Sequence, residues 1–192
     1  MSKDPITTAI QHSVGPALVP PVDLAAHFQP RQLARGEYWL RTGERCRHLA
    51  FIQTGSLRLF TESEQGEHTR WAFFEGQFCL SMSSFTQQVA AEESIVALEP
   101  TTVLELSYDR WRALYEEHEF LRRFWTFNLE HLAICFEARV NTLLIGNGAD
   151  RYAYLLRKYP DFVLRLPQKH LAEMLGMAPR HLSRIRKELS DG

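Results

Sequence analysis

The sequence predicts an α+β chain: an antiparallel β domain first, then one long helix, then a compact C-terminal group of helices. Three observations predict it. Short runs rich in aromatic and branched residues lie between Gly36, Gly43, Gly55, Gly66 and Gly76, at intervals of roughly ten residues that suit an all-β barrel or sandwich. Glu119 to Ile145 contains neither Pro nor Gly, as a single long helix requires. Gln168, Ala172 and Gly176 recur every fourth position ahead of Leu182 and Ile185, the spacing of two helices crossing on a tight turn.

Composition bounds the rest. The 192 residues are 45% hydrophobic and 23% charged, an ordinary globular balance that excludes wholesale disorder and collagen-like chains. The longest apolar run, Leu132 to Phe136, falls far short of the roughly 20 residues of a bilayer span. Asp4 and Pro5 follow Lys3, and Pro16, Pro20 and Pro21 stand where a secretory apolar core would be, so no export signal is expected. Cys46, Cys79 and Cys135 are odd in number and widely separated, which suits neither a disulfide framework nor a metal site. A cytoplasmic location is the expectation. Residues 1–145 carry a net charge of −5 and residues 146–192 a net charge of +4. A basic tail of this kind points toward nucleic acid.

Residues 1–22 are rich in Pro, Thr, Ser and Gly and read as a mobile leader or as a strap over the next domain. The strands are expected at Tyr38–Leu40, Leu49–Ile52, Ser56–Thr61, His68–Phe74, Ser94–Leu98 and Thr102–Leu106. Ser56 to Phe60 alternates polar and apolar residues, as a half-buried strand does. Residues 61–67 supply a hairpin loop, and Gln77–Glu92 reads as a helical or irregular insertion. Within it and beside it, Phe74, Gly76, Phe78, Leu80, Met82, Phe85 and Ser94 form a candidate effector pocket, with an ordinary core as the competing reading.

Ser107 is a candidate helix cap. The apolar residues of 119–145, among them Leu121, Phe124, Phe127, Leu132, Cys135 and Phe136, cover more than one stripe, so the helix needs burial on two sides. Packing on the β domain and on the same helix of a second subunit would meet that need, with an intramolecular core helix as the competing reading. Gly146-Asn147-Gly148 then interrupts it as a hinge, with Gly146 suited to a C-cap and Asn147 to an N-cap. A short helix over Asp150–Tyr159 is expected to end at Pro160.

The C-terminal segment carries the sharpest signal. Ala172 is small where two helices touch, Gly176 supplies a left-handed turn residue, and Pro179 fits the first position of the second helix. Leu182, Ile185 and Leu189 fall on one face, while Arg180, Ser183, Arg184 and Lys187 fall on the other. An arginine fork can bond guanine O6 and N7 together. Arg180 and Arg184 are therefore the expected base readers, with His181 and Ser183 beside them; Lys169, Arg186 and Lys187 are the expected phosphate contacts.

Several stretches resemble the Crp/Fnr family of bacterial transcription regulators: Gly36 to Gly43, Phe51 to Leu59, Arg151 to Pro160, Leu166 to Gly176 and Leu182 to Lys187. The resemblance runs from Phe28 to Leu189. It implies a double-stranded, jelly-roll-like β-roll of the cyclic-nucleotide-binding type at 23–117, a dimerisation helix and hinge at 118–147, and a helix-turn-helix domain at 148–192. It also implies a homodimer on near-palindromic double-stranded DNA, with RNA polymerase as a further partner and a small-molecule effector of unknown identity. No cofactor and no metal are implied.

The sequence departs from that pattern in three ways. Nucleotide-binding members grip the cyclic phosphate with an Arg followed by Ser or Thr, where this chain has Ala90-Ala91-Glu92-Glu93-Ser94. Trp71 to Asp109 contains no Lys, Arg or His at all, so a buried phosphate would meet no countercharge there; cyclic AMP is not the expected effector. No N-terminal cysteine cluster is present for iron and sulfur. Only three residues follow Leu189, so a full wing is not expected, and Ala178 stands where a capping Ser or Thr would be. The competing readings are a constitutive DNA binder whose β domain is vestigial, and a cupin-like enzyme. The eight histidines include no His-x-His pair and no Gly-x-Ser-x-Gly turn occurs, so no enzymatic activity is expected.

Overall fold

The glycine-punctuated runs become strands. In the computed structural model, which describes residues 4–14, 23–64 and 66–190, these are β1 (Gln29–Leu33), β2 (Tyr38–Leu40), β3 (His48–Thr54), β4 (Leu57–Ser63), β5 (Gly66–Phe73), β6 (Phe78–Cys79), β7 (Ser94–Ala97) and β8 (Thr101–Ser107). They form two four-stranded sheets ordered β1-β8-β3-β6 and β2-β7-β4-β5, and the pairings described between strands are antiparallel. The register places Phe51 opposite Leu104 and Ile52 opposite Val103 in one sheet, and Leu57 opposite Ala97 and Leu59 opposite Ile95 in the other.

The chain groups into two compact units, one of residues up to Thr61 with Ala72–His131, the other of Glu62–Trp71 with residues from Leu132 onward. The division falls inside the long helix and groups a hairpin tip with the C-terminal part. Residues distant in sequence make that tip belong where it does.

In the first unit, Phe51, Ile52, Leu57, Ile95 and Val103 are essentially inaccessible. Ser56–Phe60 does not behave as a half-buried strand: Leu57 to Phe60 are all buried, because Arg58 lays its guanidinium over the Phe60 ring at 4.2 Å and is itself 4% exposed. The expected insertion resolves into β6 and a short helix, α2 (Met82–Gln87). Ser107 caps α3 (Tyr108–Glu117), its hydroxyl accepting from Arg110 N at 3.3 Å, and α4 spans Glu119–Ile145 without a break.

Part of 1–22 is helical and half-buried, which suits the strap reading and not the mobile leader. Pro5–Val14 form a helix, α1, started by Asp4, whose carboxylate accepts from Ile6 N at 3.3 Å and Thr7 N at 2.9 Å. Ile6 and Ile10 share a face at helical spacing and are buried, a two-residue stripe too short to register against the surrounding Pro and Thr. Residues 1–3 and 15–22 lie outside the described residues.

The second unit contains the remainder of α4, then α5 (Gly148–Lys158), α6 (Pro160–Arg165), α7 (Gln168–Met174) and α8 (Pro179–Ser190). Asn147 and Asp150 form a reciprocal capping box on α5. Pro160 ends α5 and also opens α6 from its first position. Gly146 is not in the left-handed conformation expected of a C-cap; what it supplies is space, since a Cβ there would lie 2.9 Å from Thr142 O.

Two glycines of the first unit separate conformational from steric demand. Gly55 (φ +89°) has no room for a Cβ, which would run into Thr101 Oγ1 and sit 2.7 Å from Pro100 O, whereas Gly36 (φ +81°) opens onto empty space. Gly55→Ala is expected to cost about 3 kcal/mol, strain plus overpacking, and Gly36→Ala about 1 kcal/mol for the strain alone; chemical denaturation of the two variants reads the difference.

Candidate nucleic-acid interface

The interface is built on α7 and α8. Leu171, Ala172, Met174 and Leu175 are buried on the first helix, Leu182 and Ile185 on the second. Ala172 is fully inaccessible, as a helix crossing with no room for a larger side chain demands. Gly176 takes φ +62° and turns the chain, while Ala172 O accepts from Met177 N at 3.1 Å. The Gln168 amide donates to Pro179 O at 2.9 Å, tying the start of α7 to the start of α8.

This packing decides which face of α8 is left. Arg180, Ser183, Arg184 and Lys187 are exposed together. Arg184 Nε lies 3.8 Å from Glu188 Oε1, with both side chains about two-thirds exposed. Such an open surface pair is worth roughly 0–1 kcal/mol and leaves the guanidinium available to a stronger acceptor. Arg186 is exposed too, and so is Lys169, whose ammonium is 3.9 Å from Glu173.

His181 is exposed with the other expected base readers and also borders the start of α5. A Cβ built on Gly148 would lie 3.2 Å from His181 Cε1 and 2.9 Å from Ile185 Cδ1, so the imidazole leans on α5. Gly148 therefore serves close helix packing as well as the hinge read from the sequence.

A contact the sequence does not announce supports α7. The hairpin tip belongs to the same unit, and Thr69, 2% exposed, donates to Glu173 Oε2 from its hydroxyl and, at 3.2 Å, from its backbone N–H. His170 Nδ1 is 3.3 Å from the same oxygen. Beside it, the Trp71 ring meets Tyr159 and Phe162 edge-on, with centroids 5.2 and 5.1 Å away. The only available signal was a tryptophan following a strongly polar loop.

The expected dimer face is redistributed. Leu121 and Phe124 are 2% and 3% exposed, so they are already spent within their own chain, Phe124 edge-on against Phe78. Cys135 is half-buried and hydrogen-bonded to Tyr159, and Leu132 is half-buried as well. Phe127 and Phe136 do lie open, at 42% and 44%. The exposed apolar stripe runs through Leu129, Ala133, Phe136, Val140 and Leu143, alternating steps of four and three residues as a coiled-coil seam does.

The candidate effector residues of the first unit are largely committed to its core. Phe78 stands edge-on to Phe51 and Phe85 to Tyr108. Phe74 and Phe85 are 3% and 1% exposed, and Leu80 and Met82 are half-buried. Ser94 Oγ accepts from Thr42 N at 3.0 Å, and Gly76 lies exposed in a turn whose N–H bonds Ile52 O. Glu93 is 5% exposed and accepts from Ser81 Oγ at 2.7 Å. Among the described residues no group of three or more His, Cys, Asp or Glu side chains is placed to hold a metal ion, and no helix is long and apolar enough to cross a membrane.

Residues 30–118 match the family model of the cyclic nucleotide-binding domain. No curated protein sequence matches the chain. Among solved structures, it is similar to the catabolite activator protein of Thermus thermophilus (23% identity, 95% of this chain and 87% of that one, TM-score 0.59). It is also similar to the c-di-GMP-responsive global regulator CLP of Xanthomonas campestris (19%, 87% and 88%, 0.67) and to FixK2 of Bradyrhizobium japonicum (14%, 85% and 85%, 0.73). At these identities the likeness is one of fold, and it extends over both units.

Removing the acceptor that holds the hairpin tip tests the support of α7. Glu173→Ala is expected to destabilise the second unit by about 1–3 kcal/mol, the range for losing a charged partner of buried donors, with faster amide exchange at Thr69 and through 168–174 while the strands of the first unit keep their protection.

Proposed function

We propose that the chain is a sequence-specific DNA-binding transcription regulator of the Crp/Fnr type, acting as a homodimer with α8 in the major groove. One observation carries the reading: α8 buries Leu182 and Ile185 and leaves Arg180, Ser183, Arg184 and Lys187 together in solvent, on a helix set by the Gly176 turn. Arg180 and Arg184 read bases through guanidinium forks, and Ser183 lies between them. Lys169, Arg186 and Lys187 take phosphates. His181, exposed beside them at the edge toward α5, is a further base contact. The likeness in fold to regulators over more than four-fifths of the chain supports the same reading.

The stripe on α4 supports the dimer. Two copies joined along it place two recognition helices about 34 Å apart, one turn of duplex, and call for a near-palindromic site. For the first unit, a constitutive binder whose β domain is a scaffold is favoured over a cyclic-nucleotide sensor. The observation is that the loop where nucleotide-binding members carry Arg and Ser or Thr holds Glu93 and Ser94, already bonded to Ser81 and Thr42, and offers no guanidinium for a phosphate.

Selection of duplexes from a random pool by the purified protein is expected to yield a two-fold symmetric motif. Arg184→Ala should relax one symmetry-related pair of positions, at a cost of about 1–3 kcal/mol per site. Lys187→Ala should weaken all sequences alike and reduce the salt slope by about one. Phe136→Glu should give a monomer in sedimentation and abolish the symmetric motif. Sequence-blind binding by the wild type, or a monomeric wild type, would overturn the reading.

A further inference from the structure

The solvent face of α8 carries three charged side chains about one turn apart, Arg180, Arg184 and Glu188, all of them exposed. Arg184 Nε lies 3.8 Å from Glu188 Oε1. Arg180 has no such carboxylate partner among the described residues.

The stability of the helix does not explain this order. α8 has no acid in its first turn, where the macrodipole favours one, and Glu188 sits in its last turn, where the dipole opposes it. An arginine four residues before a glutamate is also the weaker of the two orders for such a pair, and a pair this exposed adds little. Nor does a face that meets phosphates gain from an acid, since negative charge there weakens binding to every duplex.

What Glu188 does supply is a hold on one edge of the Arg184 guanidinium. That group can grip guanine O6 and N7 with its two terminal nitrogens, or with Nε and one of them. With Nε turned to a carboxylate, the terminal pair is left for the base. A long side chain with many rotamers is thereby narrowed to one direction before the duplex arrives. In the groove, where water is displaced, the same ion pair strengthens.

We infer that Glu188 is a positioning residue for base reading: it holds Arg184 by Nε so that Nη1 and Nη2 meet one guanine, lowering affinity for all duplexes while sharpening discrimination at that base pair. Arg180, without a carboxylate beside it, reads its base pair less strictly. This role rests on the reading of α8 as a recognition helix and adds to it the residue that sets how strictly one position is specified.

The test uses the full chain with three duplexes: the one selected by the wild type, a scrambled one, and the selected one carrying 7-deazaguanine, which lacks the N7 acceptor, at the guanine that Arg184→Ala ceases to select. Glu188→Gln should tighten binding to the scrambled duplex about threefold, because a charge that repels phosphate is gone. It should nevertheless weaken binding to the selected duplex, so that the ratio of the two affinities falls about tenfold. Glu188→Asp keeps the charge but is one methylene too short, and should lower the ratio with no gain on the scrambled duplex. In an Arg184→Ala background, Glu188→Gln should tighten both duplexes alike, since nothing remains to be positioned. The 7-deazaguanine duplex should cost the wild type about tenfold and Glu188→Gln distinctly less.

A misfolded variant would lose the scrambled duplex as well, so the gain expected there also reports an intact fold. If the wild type selects a motif while Glu188→Gln tightens selected and scrambled duplexes equally, the role of Glu188 is overturned and the DNA-binding reading stands. A wild type that selects no motif overturns both.

Discussion

A helix of 27 residues that carries apolar side chains around much of its girth must find cover on more than one side, and much of this protein is arranged by that demand. The first turns of α4 are satisfied locally: Phe120, Leu121 and Phe124 are buried in the β unit, with Phe78 edge-on to Phe124 and Trp125 against Trp111. Farther along, the face bearing Cys135, Arg139 and Thr142 is turned toward Tyr159 and Met174. What neither neighbour reaches is the stripe from Leu129 to Leu143. Its 4-3 spacing is that of a coiled-coil seam, so the demand that builds each unit is left unmet along this one surface.

The β architecture was largely legible because turn glycines and branched runs are local signals. Six strands fall where the pattern puts them, within a residue or two at their ends. The two that were missed are the edges of one sheet. β1 reads Gln-Pro-Arg-Gln-Leu, and a proline is tolerated there because an edge strand has one side free of ladder bonds. β6 has only two residues, below the length at which alternation means anything. Arg58 misled for another reason: the alternation of charged and apolar residues assumes that a charge seeks water, whereas here an aromatic ring two residues along shelters it.

The exposed face of α8 was legible because the buried and the exposed sides lie on one twelve-residue helix, where period alone separates them. The tie between the hairpin tip and α7 was not, because Thr69 and Glu173 are 104 residues apart and neither segment announces the other. The same holds for the contact of the exposed His181 with the start of α5, which depends on the missing side chain of Gly148. Local pattern fixes the sector a residue occupies, and packing decides where within it the side chain turns.

The hairpin tip has a consequence for the making of the protein. Thr69 and its acceptor Glu173 are 104 residues apart, so on a ribosome the tip emerges long before α7 exists. At a synthesis rate of roughly 5–20 residues per second, about 5–20 seconds separate the two. Throughout that interval Trp71 has neither Tyr159 nor Phe162 to cover it, and the nascent β unit carries an unfinished, partly apolar appendage. The chain also passes between the two units three times, near residues 61, 71 and 131. A protease that nicks the chain near residue 131 removes the last covalent link to the helices that follow, and what then holds them to the hairpin tip is noncovalent: Thr69 to Glu173, and Trp71 to Tyr159 and Phe162.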